Sequence, residues 1–186
     1  MKVLPIMDLK DISAIKLNLS NKPMQMLAFV LGINAAMRPG DMLNLQVKQV
    51  KNRGIGSRVS FKDGKTGKSN IFIITEPIKT ALDNYFKSRG LLDEHYLFKS
   101  RKGKNYPWTT CRLHKLVKEW TSNVNLKGLY GSVSLRKTWA YHQRVTYAVP
   151  LEVISNRLNH SSPAITRAYI CIQHTEVESV LQNNVL

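Results

Sequence analysis

The sequence predicts a mostly helical α+β domain with one small antiparallel sheet, and three observations predict it. Apolar residues recur at helical spacing in both the N-terminal and C-terminal parts of the chain. A single interval, Val47 to Thr75, carries strand patterning with glycine-containing turns. The length of 186 residues, 43% of them apolar, is enough to bury one core. No repeat, low-complexity tract or Gly/Ser-rich linker divides the chain, so residues 1–186 read as one domain.

Taken in order, Asp8 is placed to cap a first helix carrying Ile12, Ile15 and Leu17. Asn21 with Pro23 opens a second helix through "MQMLAFVLGINAA", and "RPGD" starts another after Arg38. The strand interval reads as three strands, "VKQV", "SRVSF" and "SNIFIIT", joined by the turns "KNRGIG" and "KDGKTGK". Ile78, Ala81, Leu82, Tyr85 and Phe86 then form a helical stripe, as do Leu113, Leu116, Val117, Trp120 and Val124 after the basic turn "SRKGKNYP". From Ser134 on, four helices follow: "SLRKTWAYHQRVTYA", "PLEVISNRLNH", "SPAITRAYICI" and "TEVESVLQNNVL". Their start signals are a serine, Pro150, Ser162 before Pro163, and Thr175 before Glu176.

Charge narrows the function. Against 28 Lys and Arg stand 12 Asp and Glu, a net +16 with a pI near 10. A globular domain carrying that much self-repulsion points to a polyanionic partner, of which nucleic acid is the commonest. The two cysteines, Cys111 and Cys171, lie in no metal-ligand spacing and read as buried thiols of a reducing cytoplasm. No leader-like apolar stretch opens the chain and no run is long enough to span a membrane, so a cytoplasmic location is expected.

Several polar residues sit in settings that aim them. Arg38 lies at a tight turn between two helices. Lys65 occupies the "KDGKTGK" turn, where Gly64 and Gly67 permit close approach of a ligand. Arg136 falls in the first turn of a helix whose Leu135, Trp139, His142 and Val145 look core-directed. A guanidinium beside a helix N-terminus can hold a phosphate. On that face His142 reads as a core histidine. His160 lies in the turn before the Ser-Ser-Pro helix start, and Tyr169 two turns along the helix that follows. Each alone fits an ordinary surface or core role.

As a set, "GINAAMRPGDMLNL", "GKTGK", "SLRKTWAYH" and "LNHSSPAITRAYI" resemble, in order and in their expected elements, the catalytic domain of the tyrosine recombinases, the phage integrase family. The resemblance runs from about Leu27 to Ile170. It implies the helical catalytic fold of that family and a site-specific recombinase that cleaves and rejoins DNA through a 3′-phosphotyrosyl bond. In that reading Tyr169 is the nucleophile, Arg38 and Arg136 hold the phosphate oxygens, Lys65 protonates the leaving 5′-oxygen, and His160 hydrogen-bonds the phosphate. It also implies double-stranded DNA with specific recombination sites as partner, and a homotetramer on DNA formed from free monomers or dimers. Neither membrane, cofactor nor metal is called for.

Three departures accompany the resemblance. Val133 stands where the family usually has a histidine, three residues before Arg136, and valine accepts no proton. Asp41 replaces a frequent glutamate, keeping a carboxylate to orient neighbouring groups. The family's separate N-terminal DNA-binding domain is not expected in this chain. Two other readings stay open: a DNA-binding relative that has lost activity, and type IB topoisomerase-like relaxation. The closing helix, with Val177, Val180 and Leu181 on one stripe, either packs on a neighbouring subunit or covers its own core.

Overall fold

The computed structural model describes residues 2–101 and 103–172. Helix α1, Leu9–Asn18, starts where Asp8 accepts a hydrogen bond from the Lys10 amide at 2.7 Å. Its core contacts are Ile12 and Ile15, followed by Leu19. Leu17 points to solvent, because two residues of helix carry a side chain about 200° around the axis from Ile15. Helix α2, Pro23–Asn34, begins after Lys22 and not through an Asn21 cap. Its Leu27, Ala28, Phe29, Val30, Leu31 and Gly32 are all buried, so it runs through the centre of the molecule. A short α3, Pro39–Leu43, follows with Arg38 as its N-cap.

The expected three-stranded sheet has two strands. "VKQV" is a helical turn, α4, Val47–Val50. Val47 and Val50 are both buried; at a spacing of three they share a face in a helix but would point to opposite faces of a strand. The Gln46 amide donates to Gln49 Oε1 at 2.8 Å, and the Val47 and Lys48 amides go to the carbonyls of His95 and Asp93 beside an isolated bridge of Gln46 with Tyr96, so none of them pairs with β1. Strands β1, Arg58–Lys62, and β2, Ser69–Ile73, pair antiparallel with Arg58 opposite Ile73 and Lys62 opposite Ser69. Gly67, with φ +70°, supplies the left-handed residue their turn requires.

Helices α5, Glu76–Ser88, and α6, Thr110–Ser122, bury the two predicted stripes, with Phe86 and Val124 half-buried. Helix α7, Ser132–Val145, begins two residues before the predicted serine; Ser134 instead accepts a hydrogen bond from the Gly131 amide at 3.1 Å. His142 is a core histidine, bonded to the Ile6 carbonyl and Thr146, whereas Val145 at the helix end is exposed. Helices α8, Leu151–Leu158, and α9, Pro163–Tyr169, complete the described chain; Ser162 caps α9 through the Ile165 amide. The closing stripe of Val177, Val180 and Leu181 lies outside the described residues. Cys111 is exposed and Cys171 half-buried, so neither is the buried thiol expected. Among the described residues no helix is long and apolar enough to cross a membrane.

The core has two parts. A large cluster fills the space around α2, between α5, α6 and α7. At the α2–α7 contact, Gly32 lets the helices meet closely, since a Cβ there would lie 2.5 Å from Leu135 Cδ1. A smaller cluster of Ala140, Leu151, Ile154, Leu158 and Ile170 joins α7, α8 and α9, with Tyr169 packed on its edge. The helix bearing Tyr169 thus rests on this small core and not on the main one.

Candidate active site

Two arginines, Arg136 buried and Arg157 half-buried, organise the turn between α2 and α3. Ala35 ends α2, and Ala36 takes a left-handed conformation with φ 55°, which aims consecutive carbonyls outward. Arg157 of α8 donates to the Ala35 carbonyl at 2.7 Å, and Arg136 Nε donates to the Ala36 carbonyl at 2.9 Å. Arg136 also reaches the Leu158 carbonyl at 3.1 Å, so one guanidinium ties α7 to the ends of α2 and α8. These bonds fix the fork while engaging only part of its five N–H groups. Burial lowers the pKa of Arg136, with Tyr169 and Asp63 opposing and Arg38 and Arg157 reinforcing the shift; a guanidinium stays protonated through it.

Arg38 is positioned by Asp63, a partner that sequence reading did not single out. The Asp63 carboxylate accepts from the Arg38 guanidinium on one oxygen. On the other it accepts from the amides of Lys65, at 3.0 Å, and Thr66, at 2.9 Å. Burial alone would raise its pKa, but the Thr66 hydrogen bonds, the Arg38 charge and the Lys65 amide outweigh it and hold the group below 3.8. The β1–β2 turn is therefore anchored to Arg38 through two residues of backbone, and Lys65 stands exposed at its tip. Asp41 supports the same turn by accepting the Gly64 amide at 2.9 Å, as expected of an orienting carboxylate.

His160 follows Asn159, whose left-handed conformation ends α8. Its Nδ1 meets the Thr166 hydroxyl at 2.9 Å, and its ring stands edge to face with Tyr169, centroids 5.0 Å apart. Burial, Arg136 and Arg38 all lower the His160 pKa. Burial raises that of Tyr169, opposed by the same two arginines. On the ring of Tyr169, the Lys137 ammonium sits 4.9 Å from the centroid and is bonded to the Val3 carbonyl at 2.7 Å.

Of the five residues expected at a site, Arg38, Arg136, His160 and Tyr169 come together, and Lys65 is tethered to them through Asp63. Two guanidiniums beside a phenol and an imidazole have the chemistry to hold a tetrahedral anion next to a hydroxyl. Val133, in the first turn of α7, is exposed and adds no polar group. Asp63, Lys137 and Arg157 were missed. Asp63 had a faint signal, being the aspartate that opens a Gly-containing turn, whereas nothing local marks Lys137 or Arg157.

The sequence pattern of the phage integrase family matches residues 4–176. A probable integrase/recombinase of Bacillus subtilis, YoeC, is 35% identical over 173 residues, covering 91% of this chain and 90% of the relative. Among solved structures, the XerA recombinase superimposes with a TM-score of 0.77 at 19% identity, over the whole of this chain and 68% of its own. The XerH site-specific recombinase bound to palindromic difH substrate, in a post-cleavage complex, gives a TM-score of 0.73 at 20% identity, covering 97% of this chain and 52% of its own. At these identities the structures demonstrate a shared fold.

Proposed function

Because this chain belongs to the phage integrase family, we propose that it is a site-specific recombinase whose Tyr169 cleaves and rejoins double-stranded DNA. The observation that supports this reading is His160 standing edge to face with Tyr169, with Arg136 bonded to the Leu158 carbonyl two residues before His160 and the charges of Arg136 and Arg38 acting on the phenol. Arg38 and Arg136 hold the non-bridging oxygens of one DNA phosphate, and their fixed N–H groups stabilise the added charge of the pentacoordinate transition state. The Tyr169 oxygen attacks phosphorus, the bond to the 5′-oxygen breaks, and Lys65 gives that oxygen a proton. The 3′-phosphotyrosyl bond conserves the bond energy, so a 5′-hydroxyl from another strand reverses the step without a nucleotide cofactor.

Exchange between two sites requires four strand cuts, one for each copy of the chain, so a homotetramer on DNA is the working assembly. The basic composition supplies phosphate contacts beyond the site, with the turn at 100–105 and the face of α6 as candidates. A DNA duplex nicked near the cleavage position tests the reading, because the short fragment bearing the freed 5′-hydroxyl diffuses away and traps the adduct. Wild type accumulates a covalent protein–DNA species, and Tyr169→Phe binds the same duplex but forms none. A wild-type chain that binds without forming adduct favours the inactive, DNA-binding reading that Val133 raises.

A further inference from the structure

Cleavage as proposed requires something to accept the Tyr169 proton, and Val133 cannot. The hydrogen bonds behind His160 bear on what does. Ser155 Oγ lies 2.7 Å from the Leu151 carbonyl and 2.7 Å from Thr166 Oγ1, which in turn lies 2.9 Å from His160 Nδ1. Ser155 is 3% exposed and Thr166 0%, so the two hydroxyls pair with each other and not with solvent.

Three contacts need three protons, and their direction follows from the first. A carbonyl only accepts, so the single Ser155 proton goes to Leu151. The Ser155 oxygen must then accept from Thr166, and the Thr166 oxygen from an N–H on His160 Nδ1. A neutral imidazole with its proton on Nδ1 presents a bare lone pair on Nε2.

We infer that Ser155 and Thr166 hold His160 in the Nδ1–H tautomer, so that Nε2 takes the Tyr169 proton during strand cleavage. The inference rests on the cleavage reading above and changes the part of His160 within it, from phosphate donor to proton acceptor first and donor afterwards. The Tyr169 O–H bond breaks as the Nε2–H bond forms. The phenolate electron pair attacks phosphorus, and the leaving 5′-oxygen takes its proton from Lys65. His160 is left as an imidazolium whose Nε2–H can bond the phosphate, and rejoining returns the proton to Tyr169. The charges facing the ring, Arg136 from α7 and Arg38 from the α2–α3 turn, act with burial to keep it neutral beforehand, and Tyr169 of α9 meets it edge to face.

Nitrogen-15 spectra of the histidine side chains in the intact protein test the tautomer directly, with His160 assigned by comparison with His160→Phe. The expected spectrum shows a protonated Nδ1 and an unprotonated Nε2; the reverse overturns the inference. On the nicked duplex, His160→Phe lowers the adduct rate about a hundredfold or more and removes its acid limb, which in wild type lies below the ordinary histidine value of 6.5. Ser155→Ala, a benign change in a helix, slows adduct formation about five- to tenfold, the worth of one buried hydrogen bond, without weakening DNA binding. Thr166→Ser keeps the hydroxyl and with it the tautomer. A Ser155→Ala protein with wild-type rate and spectrum overturns the inference. Absence of adduct from wild type at every pH overturns the acceptor role together with the cleavage reading, whereas an Nε2–H spectrum with adduct formation intact overturns the tautomer alone.

Discussion

Replacing Asp63 with asparagine removes one negative charge at the point where Arg38 and the β1–β2 turn meet. The carboxylate accepts Arg38 on one oxygen and two backbone amides on the other. Asparagine still accepts the amides but turns an NH2 group toward the guanidinium, donor against donor. A hydrogen bond to a charged group contributes about 1.5–3 kcal/mol. Arg38 keeps roughly a fifth of its side chain in solvent, which favours the lower end, so the expected loss is about 2 kcal/mol at pH 7. For a chain of this length that lowers the melting temperature by about 4–8 °C. Asp63 has a folded pKa below its unfolded value of 3.8; its contribution is therefore complete above that value and is lost as pH falls through the lower folded one. Urea denaturation of both proteins from pH 7 downward checks this: the gap between their midpoints should stay constant to about pH 4 and close below it, with equal slopes. The same variant should form the covalent adduct more slowly, because Arg38 is no longer aimed and the Lys65 turn is released. No gap at pH 7, or a gap that persists in acid, refutes the assignment of Asp63 as the anchor of Arg38.

The remaining expectations concern packing and binding. Gly32→Ala places a Cβ 2.5 Å from Leu135 Cδ1 and 2.9 Å from Leu135 Cβ, pushing α2 and α7 apart; a loss of about 1–3 kcal/mol in denaturant unfolding is expected, and an unchanged midpoint shows that the crossing has slack. Because Arg136 spans those helices, the same variant should lose adduct formation out of proportion to its DNA affinity. DNA affinity itself should fall linearly on a log–log plot against salt, with a slope of about −0.9 for each phosphate neutralised; a flat response in fluorescence anisotropy counts against the electrostatic contact.

What the sequence by itself determined is what short-range physics writes into it. Helical stripes such as Ile78 to Tyr85 and Leu113 to Trp120 were legible because 3.6-residue periodicity and N-caps such as Asp8 and Ser162 act within a few residues. The order Arg38, Lys65, Arg136, His160, Tyr169 was noticed for a different reason: its segments resemble the motifs of a family, and the chain belongs to that family. Tertiary structure decided the rest. The segment "VKQV" carries strand-forming valines, and only the burial of both Val47 and Val50, with the Val47 and Lys48 amides taken by the carbonyls of His95 and Asp93, makes it a helical turn. Asp63 reaches Arg38 across 25 residues, and Arg136 reaches Ala36 across 100. Lys137 is buried only because the N-terminal segment brings the Val3 carbonyl to it. Even the direction of the proton chain behind His160 depends on α9 laying Thr166 against Ser155 of α8. Which groups share a hydrogen bond is set by where the backbone brings them, and no local pattern records that.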